Sequence, residues 1–424
     1  YHAPTGRLFV GTDIGLYEYN GNQSWTRHAG FPIVPVTKMI INDIYQDLTV
    51  GTYGRGLWRT NPACTNGNQY VVSENQTWND YTFPCSNVIV TNQSTLTVNA
   101  KLKMPPESVI LVDTGAVLVL NHKLELGANA QLILKKDAQL VINDSTLVFD
   151  TGQVFETEDN VTIRITNTAE LIVHGDYSYS ETDFLKIEGN GYADINYDSK
   201  NAQNLYLQGI NDRLSFKSNS MDIRSEQFYA DSVKIYPGHH LLIDHVDSLT
   251  IQNCIIDASY GFLHIAGPEK MTFRNSVVKN GIGSMGSLYI HELNNVSHTL
   301  KNVTFHSNKL GLKSYGGGIN LTNCTFYNNE KGWDAYNMSA LSSISNSTFN
   351  DHSHRAISYN GYNNATLKIK SGTHIDNNER GLYVSGPFKT EIQCSTIEDN
   401  NLDGISIQHS SLYADHSNID GNNI

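Results

Sequence analysis

Apolar and polar positions alternate along most of this chain, and from Leu249 onward the alternation is itself repeated. Eight short pieces rich in Ile, Val, Phe and Thr each end on an apolar anchor: Ile256, Val278, Phe305, Phe326, Phe349, Ile375, Ile397 and Ile419. The steps between anchors are 22, 27, 21, 23, 26, 22 and 22 residues. Self-similarity at this period predicts a solenoid, and one copy is too short to bury a core alone, so copies must stack. β-Branched and aromatic residues favour short strands, while the intervening Asn, Asp, Ser and Gly favour turns. The expected class is all-β, a parallel β-helix with coils about 4.8 Å apart. The anchors should form one inward column, with Phe305, Phe326 and Phe349 adjacent.

Polar columns accompany the anchors. Asn253, Asn275, Asn302, Asn323 and Asn346 lie three residues before an anchor; Asn308, Asn329, Asn378, Asn400 and Asn422 lie three after one. Stacked amides can pass hydrogen bonds from coil to coil, and a buried amide needs those partners. His352 falls in the second column as a substitute. Tyr315, Tyr336 and Tyr359 hold the tenth place after their anchors, and exposed tyrosines at coil spacing would form a platform for sugar rings.

Alternation begins before this repeat. From about Ser86 to Phe149 it is strict (TLTV, SVILV, AVLVL, AQLILKK, TLVF), and predicts the first, smaller coils of the same helix. Residues 150–248 continue it with irregular spacing. Residues 1–62 differ, reading as short strands with Gly-rich turns, and residues 63–85 read as a linker or cap.

The repeat resembles the right-handed β-helix superfamily that includes the pectate lyases, whose Asn ladders lie at a turn. The two pieces Leu8 to Thr12 and Leu48 to Thr52, with Trp25-Thr26 and the phrase GTYGRGLWR, resemble the final blades of a sialidase- or sortilin-type β-propeller. Together with the G-A-x-L-x-L coils, the order resembles secreted cell-surface proteins of Bacteroidetes, usually exported by type IX secretion. That resemblance implies one to two propeller blades at 1–62, a β-helix at 86–424, and further segments of the same protein beyond both ends.

Composition narrows the partners. The chain has 424 residues, 17% of them charged, and a net charge of −13. That balance argues against a nucleic-acid partner, which would select a basic face. No apolar run approaches the roughly 20 residues of a membrane span. Cys64 and Cys85 flank a polar stretch and could close it as a disulfide, which would suit a secreted protein. Cys254 and Cys324 share a column three coils apart, about 14 Å and too far to bond. Sequons such as Asn302-Val303-Thr304 follow from the ladder phrase itself. Ser145, Ser232 and Ser248, each after an Asp, resemble acceptors of Bacteroidetes O-glycosylation.

Candidate chemistry is sparse. Glu330, Asp351, Asp376, Glu379, Glu398, Asp399, Asp403 and Asp420 gather at the ladder turn and could offer oxygens to Ca²⁺, although a solvated face accounts for them. Asp351, His352, His354 and Arg355 share one turn, and His239, His240, Asp244 and His245 form a second group. The phrases of polygalacturonases are missing, and Lys and Arg look scarce in the repeat strands. The sequence therefore predicts no catalytic residues, no metal requirement, and an extracellular structural or adhesive protein that contacts glycans or other surface proteins. The alternative is a polysaccharide lyase or glycoside hydrolase, and a third reading is a passive spacer. A cleft with converging acid and base would favour the enzyme.

Overall fold

The computed structural model describes residues 8–19, 23–28, 31–42, 47–60, 69–80, 82, 87–178, 184–195, 204–209, 214–223, 227–244, 246–362 and 365–422. The described secondary structure is strand throughout. The chain divides into two units, residues 1–178 and 179–424.

The first unit opens with two antiparallel meanders. One comprises Phe9–Thr12, Gly15–Tyr19 and Trp25–Arg27; the other Val36–Asn42, Asp47–Thr52 and Gly56–Thr60. Phe9, Leu16, Phe31, Leu48 and Val50 bury themselves in one small cluster. Trp25, expected to pack blades, is largely exposed and meets the Tyr19 ring at 5.1 Å.

Parallel coils follow, and they start earlier than the sequence suggested. Gln69–Val72 pairs in parallel with Asn87–Val90, and Gln76–Trp78 with Thr95–Val98, so the segment read as a linker carries the opening strands. Their alternation is too short to announce itself. Ile110 pairs with Leu132, 22 residues on, so these coils match the later ones in length. A ladder runs along one corner: Asn99 donates to Asn79, Asn121 to Asn99 and Asn143 to Asn121, at 2.8, 2.7 and 2.7 Å.

In the second unit each regular coil contributes one strand to each of three sheets. Sheet A holds the strands before the anchors, such as Ser248–Gln252, Leu341–Ser345 and Lys389–Gln393. Sheet B holds the three-residue anchor strands, from Ile255–Asp257 to Asn418–Asp420. Sheet C holds the strands after them, including Phe262–Ala266, Lys331–Met338, Arg355–Gly361 and Arg380–Ser385. Longer strands, such as Leu310–Thr322, turn the corner from sheet C into sheet A.

Stacking of like on like holds this unit together. Ile256, Val278, Phe305, Phe326, Phe349, Ile375 and Ile397 are fully buried. The rings of Phe305, Phe326 and Phe349 stack at 4.4 Å centroid spacing and 7°. Between sheets A and B, Asn253, Asn275, Asn302, Asn323 and Asn346 adopt φ of +48° to +55°, a left-handed turn that Asn tolerates better than most residues. Asn275 bonds to Asn253, Asn302 to Asn275 and Asn323 to Asn302.

The turn between sheets B and C carries the second ladder, which is buried. Asn308 donates to Asn329 at 2.9 Å, Asn378 to Asn400 at 2.9 Å and Asn400 to Asn422 at 2.8 Å. His352 joins the two runs: its Nδ1 accepts from the Asn329 backbone, and its own backbone N–H donates to Asn378. Burial pushes its imidazole pKa down to about 3, so the ring is neutral.

Candidate functional site

The outer face of sheet C departs from this rule of repetition. Its central column runs Leu242, His264, Tyr289, Lys313, Asp334, Ser358, Tyr383 and Ser406 on successive coils. Two residues on, a second column runs Asp244, Ala266, His291, Tyr315 and Tyr336. On the near side stand Lys331, Arg355 and Arg380. Structural columns in this unit repeat one residue because like side chains pack or bond best at coil spacing. A column whose chemistry changes at each coil does not follow that rule of like on like.

Aromatic rings tile the face. His264 stacks on Tyr289 at 4.4 Å, and the Tyr289 ring lies nearly parallel to that of His291, 5.9 Å away. His291 meets Tyr315 edge-on at 5.0 Å, and Tyr315 lies 6.4 Å from Tyr336. Asn337 donates to the Tyr315 hydroxyl. Cations lie over the rings, with Lys313 Nζ 5.3 Å from the Tyr289 centroid and the Arg355 guanidinium 4.5 Å from that of Tyr383. Lys313 also reaches Met285 Sδ at 3.5 Å, and Arg380 comes within 4.0 Å of Asp403.

The electrostatics are those of a half-desolvated surface. Burial, reinforced by His240 and His291, pushes the His264 imidazole pKa down to about 4. Its Nδ1 lies 3.2 Å from His240 Nε2, an arrangement that needs at least one neutral ring. Burial and then Arg380 lower the Arg355 guanidinium pKa, against the pull of Tyr383, Asp334 and Asp403. Burial and Tyr315 raise the Tyr289 hydroxyl pKa. Within these columns Lys313, Lys331, Arg355 and Arg380 face the carboxylates of Asp244 and Asp334 with Asp403 beside them, a cationic track on a chain of net charge −13. Such a surface can hold sugar rings on its aromatics and carboxylate or sulfate groups on its cations.

Several sequence expectations change here. Repeat strands do carry bases, and the expectation of no catalytic set loses that support. Tyr359 does not join Tyr315 and Tyr336 on the surface; it is fully buried, bonds Ser342 at 3.1 Å and packs on Trp333 and Phe388. The turn after Phe349 holds one more residue than the turn after Phe326, so Tyr359 pairs with inward Ala335, and a one-place shift exchanges the faces of a strand. Tyr336 is 53% exposed.

Asp351, His352, His354 and Arg355 diverge: Asp351 is exposed, whereas the other three turn towards the protein. His352 enters the buried ladder, Arg355 lies on Tyr383, and His354 Nδ1 is buried. The Ser145 hydroxyl is buried and has no hydrogen-bond partner among the described residues. Ser232 sits in a left-handed turn bonded to Asp231, and Ser248 opens a sheet A strand. Cys64, Cys85 and His245 lie outside the described residues. Cys254 and Cys324 are buried free thiols, their pKa values raised by burial to about 12 and about 11. Among the described residues no three acidic, His or Cys side chains are placed to hold a metal ion, the acidic turns included. Among the described residues no helix is long and apolar enough to cross a membrane.

Comparison with known proteins agrees with the fold. A family model described as a right handed beta helix region matches residues 239–369 and, in a second overlapping match, 289–424. The chain is thus an all-β protein with a right-handed parallel β-helix. No curated protein matches the sequence. Among solved structures, the chain is similar to the crystal structure of the periplasmic alginate epimerase AlgG, with TM-score 0.31 and 10% identity over 74% of this chain and 77% of that one.

Proposed function

We propose that the chain is an exported β-helix protein that holds an anionic polysaccharide along the outer face of sheet C. The observation that supports this is the central column of sheet C, where His264, Tyr289, Lys313 and Asp334 replace one another on four successive coils. Tyr383 and Arg355 extend the track. Its spacing of about 4.8 Å per coil sets rings and charges at short, regular intervals along a bound chain. With a glycan as partner, we read the protein as working outside the cytoplasm, at the cell surface. Binding without cleavage gives an adhesive role.

A second reading, cleavage of the bound chain by a polysaccharide lyase, is favoured by the same column. β-Elimination next to a uronate needs a cation on the carboxylate, a base and a proton donor within reach of one sugar. Lys313, neutral His264 and Tyr289 are the groups of those three types that the column brings together.

The two N-terminal meanders we read as blades of a β-propeller. Their three-stranded antiparallel form and shared apolar cluster support it.

Affinity electrophoresis through gels containing polygalacturonate or alginate tests the binding, and ultraviolet absorbance of unsaturated products tests the cleavage. Retardation that disappears in Arg355→Ala is expected. Equal mobility of the two proteins in every acidic gel would overturn the assignment of sheet C.

A further inference from the structure

A second concavity lies on another face of the same unit, well before the cationic track in sequence. Tyr192, Ser215, Lys217, Tyr236, Gly238 and Tyr260 line an open cleft of about 610 Å³. Strand pairing explains the assembly: Tyr192 stands beside Ser215, and Asp194, Lys217 and Tyr236 follow one another across three coils. Tyr260 projects from the turn after Ile255–Asp257 and is 69% exposed.

The chemistry of this cleft differs from that of sheet C. Lys217 Nζ donates to Asp194 Oδ2 at 2.9 Å, and the Tyr192 hydroxyl donates to the same oxygen at 3.2 Å. Asp194 is only 5% exposed, and its Oδ1 has no hydrogen-bond partner among the described residues. Tyr236 bonds Ser215, and burial, followed by Asp257, raises its phenol pKa. The cleft therefore has aromatic walls and several polar groups, and the charge of Lys217 is cancelled by an adjacent carboxylate. An anion would have to compete with Asp194 for Lys217. A metal ion would find one buried carboxylate already bound to a cation.

The size falls within the range of small-molecule sites, roughly 300–1,000 Å³, where an apolar lining with a few polar groups fixes orientation. A pyranose ring offers what this lining lacks: C–H faces for tyrosine rings, and hydroxyls that both donate and accept. We propose that the cleft formed by Tyr192, Lys217, Tyr236 and Tyr260 is a binding site for an uncharged sugar residue, independent of the cationic track on sheet C.

The test uses the full chain and defined hexasaccharides of glucose, mannose, galactose or xylose, titrated calorimetrically. At least one should bind, with an affinity that about 0.5 M NaCl leaves unchanged, because screening acts on net charge. Tyr260→Ala removes an exposed wall without touching the core, and should weaken that binding about tenfold. Tyr236→Phe keeps the ring and should weaken it less. Arg355→Ala should leave it unchanged. Saturation-transfer NMR should show contact between sugar ring protons and tyrosine rings, lost in Tyr260→Ala. The proposal fails if no uncharged hexasaccharide binds, if Tyr260→Ala binds as the wild type does, or if a polyuronate displaces the sugar.

Discussion

The guanidinium of Arg355 lies 4.5 Å from the centre of the Tyr383 ring on the next coil. Its Nε is buried and makes no hydrogen bond among the described residues. Burial and Arg380 work against its charge, while Tyr383, Asp334 and Asp403 favour it. An arriving carboxylate would give the Nε a partner. Arg355→Ala should weaken binding of an acidic polysaccharide about tenfold, and Arg355→Lys by less, since lysine keeps the charge but loses the flat stacking fork. Arg274→Ala, on sheet A, is the control and should change nothing. Dissociation constants from affinity electrophoresis at two salt concentrations decide it.

Phe326 sits between Phe305 and Phe349 with identical ring geometry on both sides. Phe326→Ala removes both stacks and opens a cavity that the neighbouring coils cannot close, because the strand ladder fixes their spacing. The expected cost is about 3–5 kcal/mol, read from urea denaturation. Tyr336→Ala, on the exposed side of the next strand, should cost less than about 0.5 kcal/mol.

His352 gives the ladder a pH dependence that asparagine would not. Burial depresses its folded-state pKa to about 3, below the value of about 6.5 expected when unfolded. The unfolded chain therefore binds the proton first. The neutral ring's contribution is complete above about pH 6.5 and is lost progressively as pH falls towards about 3. Between about pH 7.5 and about pH 5 the wild type should lose about 2 kcal/mol more stability than His352→Asn does. Parallel denaturation curves of the two proteins make the comparison, since other titrating groups are common to both. Equal losses would mean that the ring is protonated in the folded state.

How far the sequence revealed these features depends on which of them repeat. Anchors such as Phe305 and Phe326 are visible because a buried column selects the same residue each time. The ladder of Asn79, Asn99, Asn121 and Asn143 carries a signal of the same kind, each Asn directly following an inward-facing residue, but no repeated phrase around the Asn marks it out. Tyr359 was misplaced because position was counted from the anchor, whereas register restarts after each turn and the turn at Asp351–His354 is one residue longer. The track on sheet C was missed for the opposite reason to the anchors. His264, Tyr289, Lys313 and Asp334 share a column but no residue type, so only strand register brings them together.

Lys313 is the residue on which binding and cleavage should part. Its ammonium is held by a thioether, Met285 Sδ, and by the face of Tyr289, both weak partners for a full charge. A carboxylate outcompetes both, so a bound uronate should draw Lys313 away from Met285. Met285→Leu should then leave affinity for polygalacturonate or alginate within about twofold, while Lys313→Ala lowers it about tenfold. If sheet C also cleaves, Lys313→Ala should abolish unsaturated product even at saturating polysaccharide, because no other cation on the central column can neutralise the same carboxylate. His264→Gln should slow product formation with little effect on affinity, as loss of a base would. Product formed at the wild-type rate without Lys313 would exclude this column as the site of cleavage. Binding lost in Lys313→Ala, with no product from the wild type on any polyuronate, would leave sheet C a binding track alone.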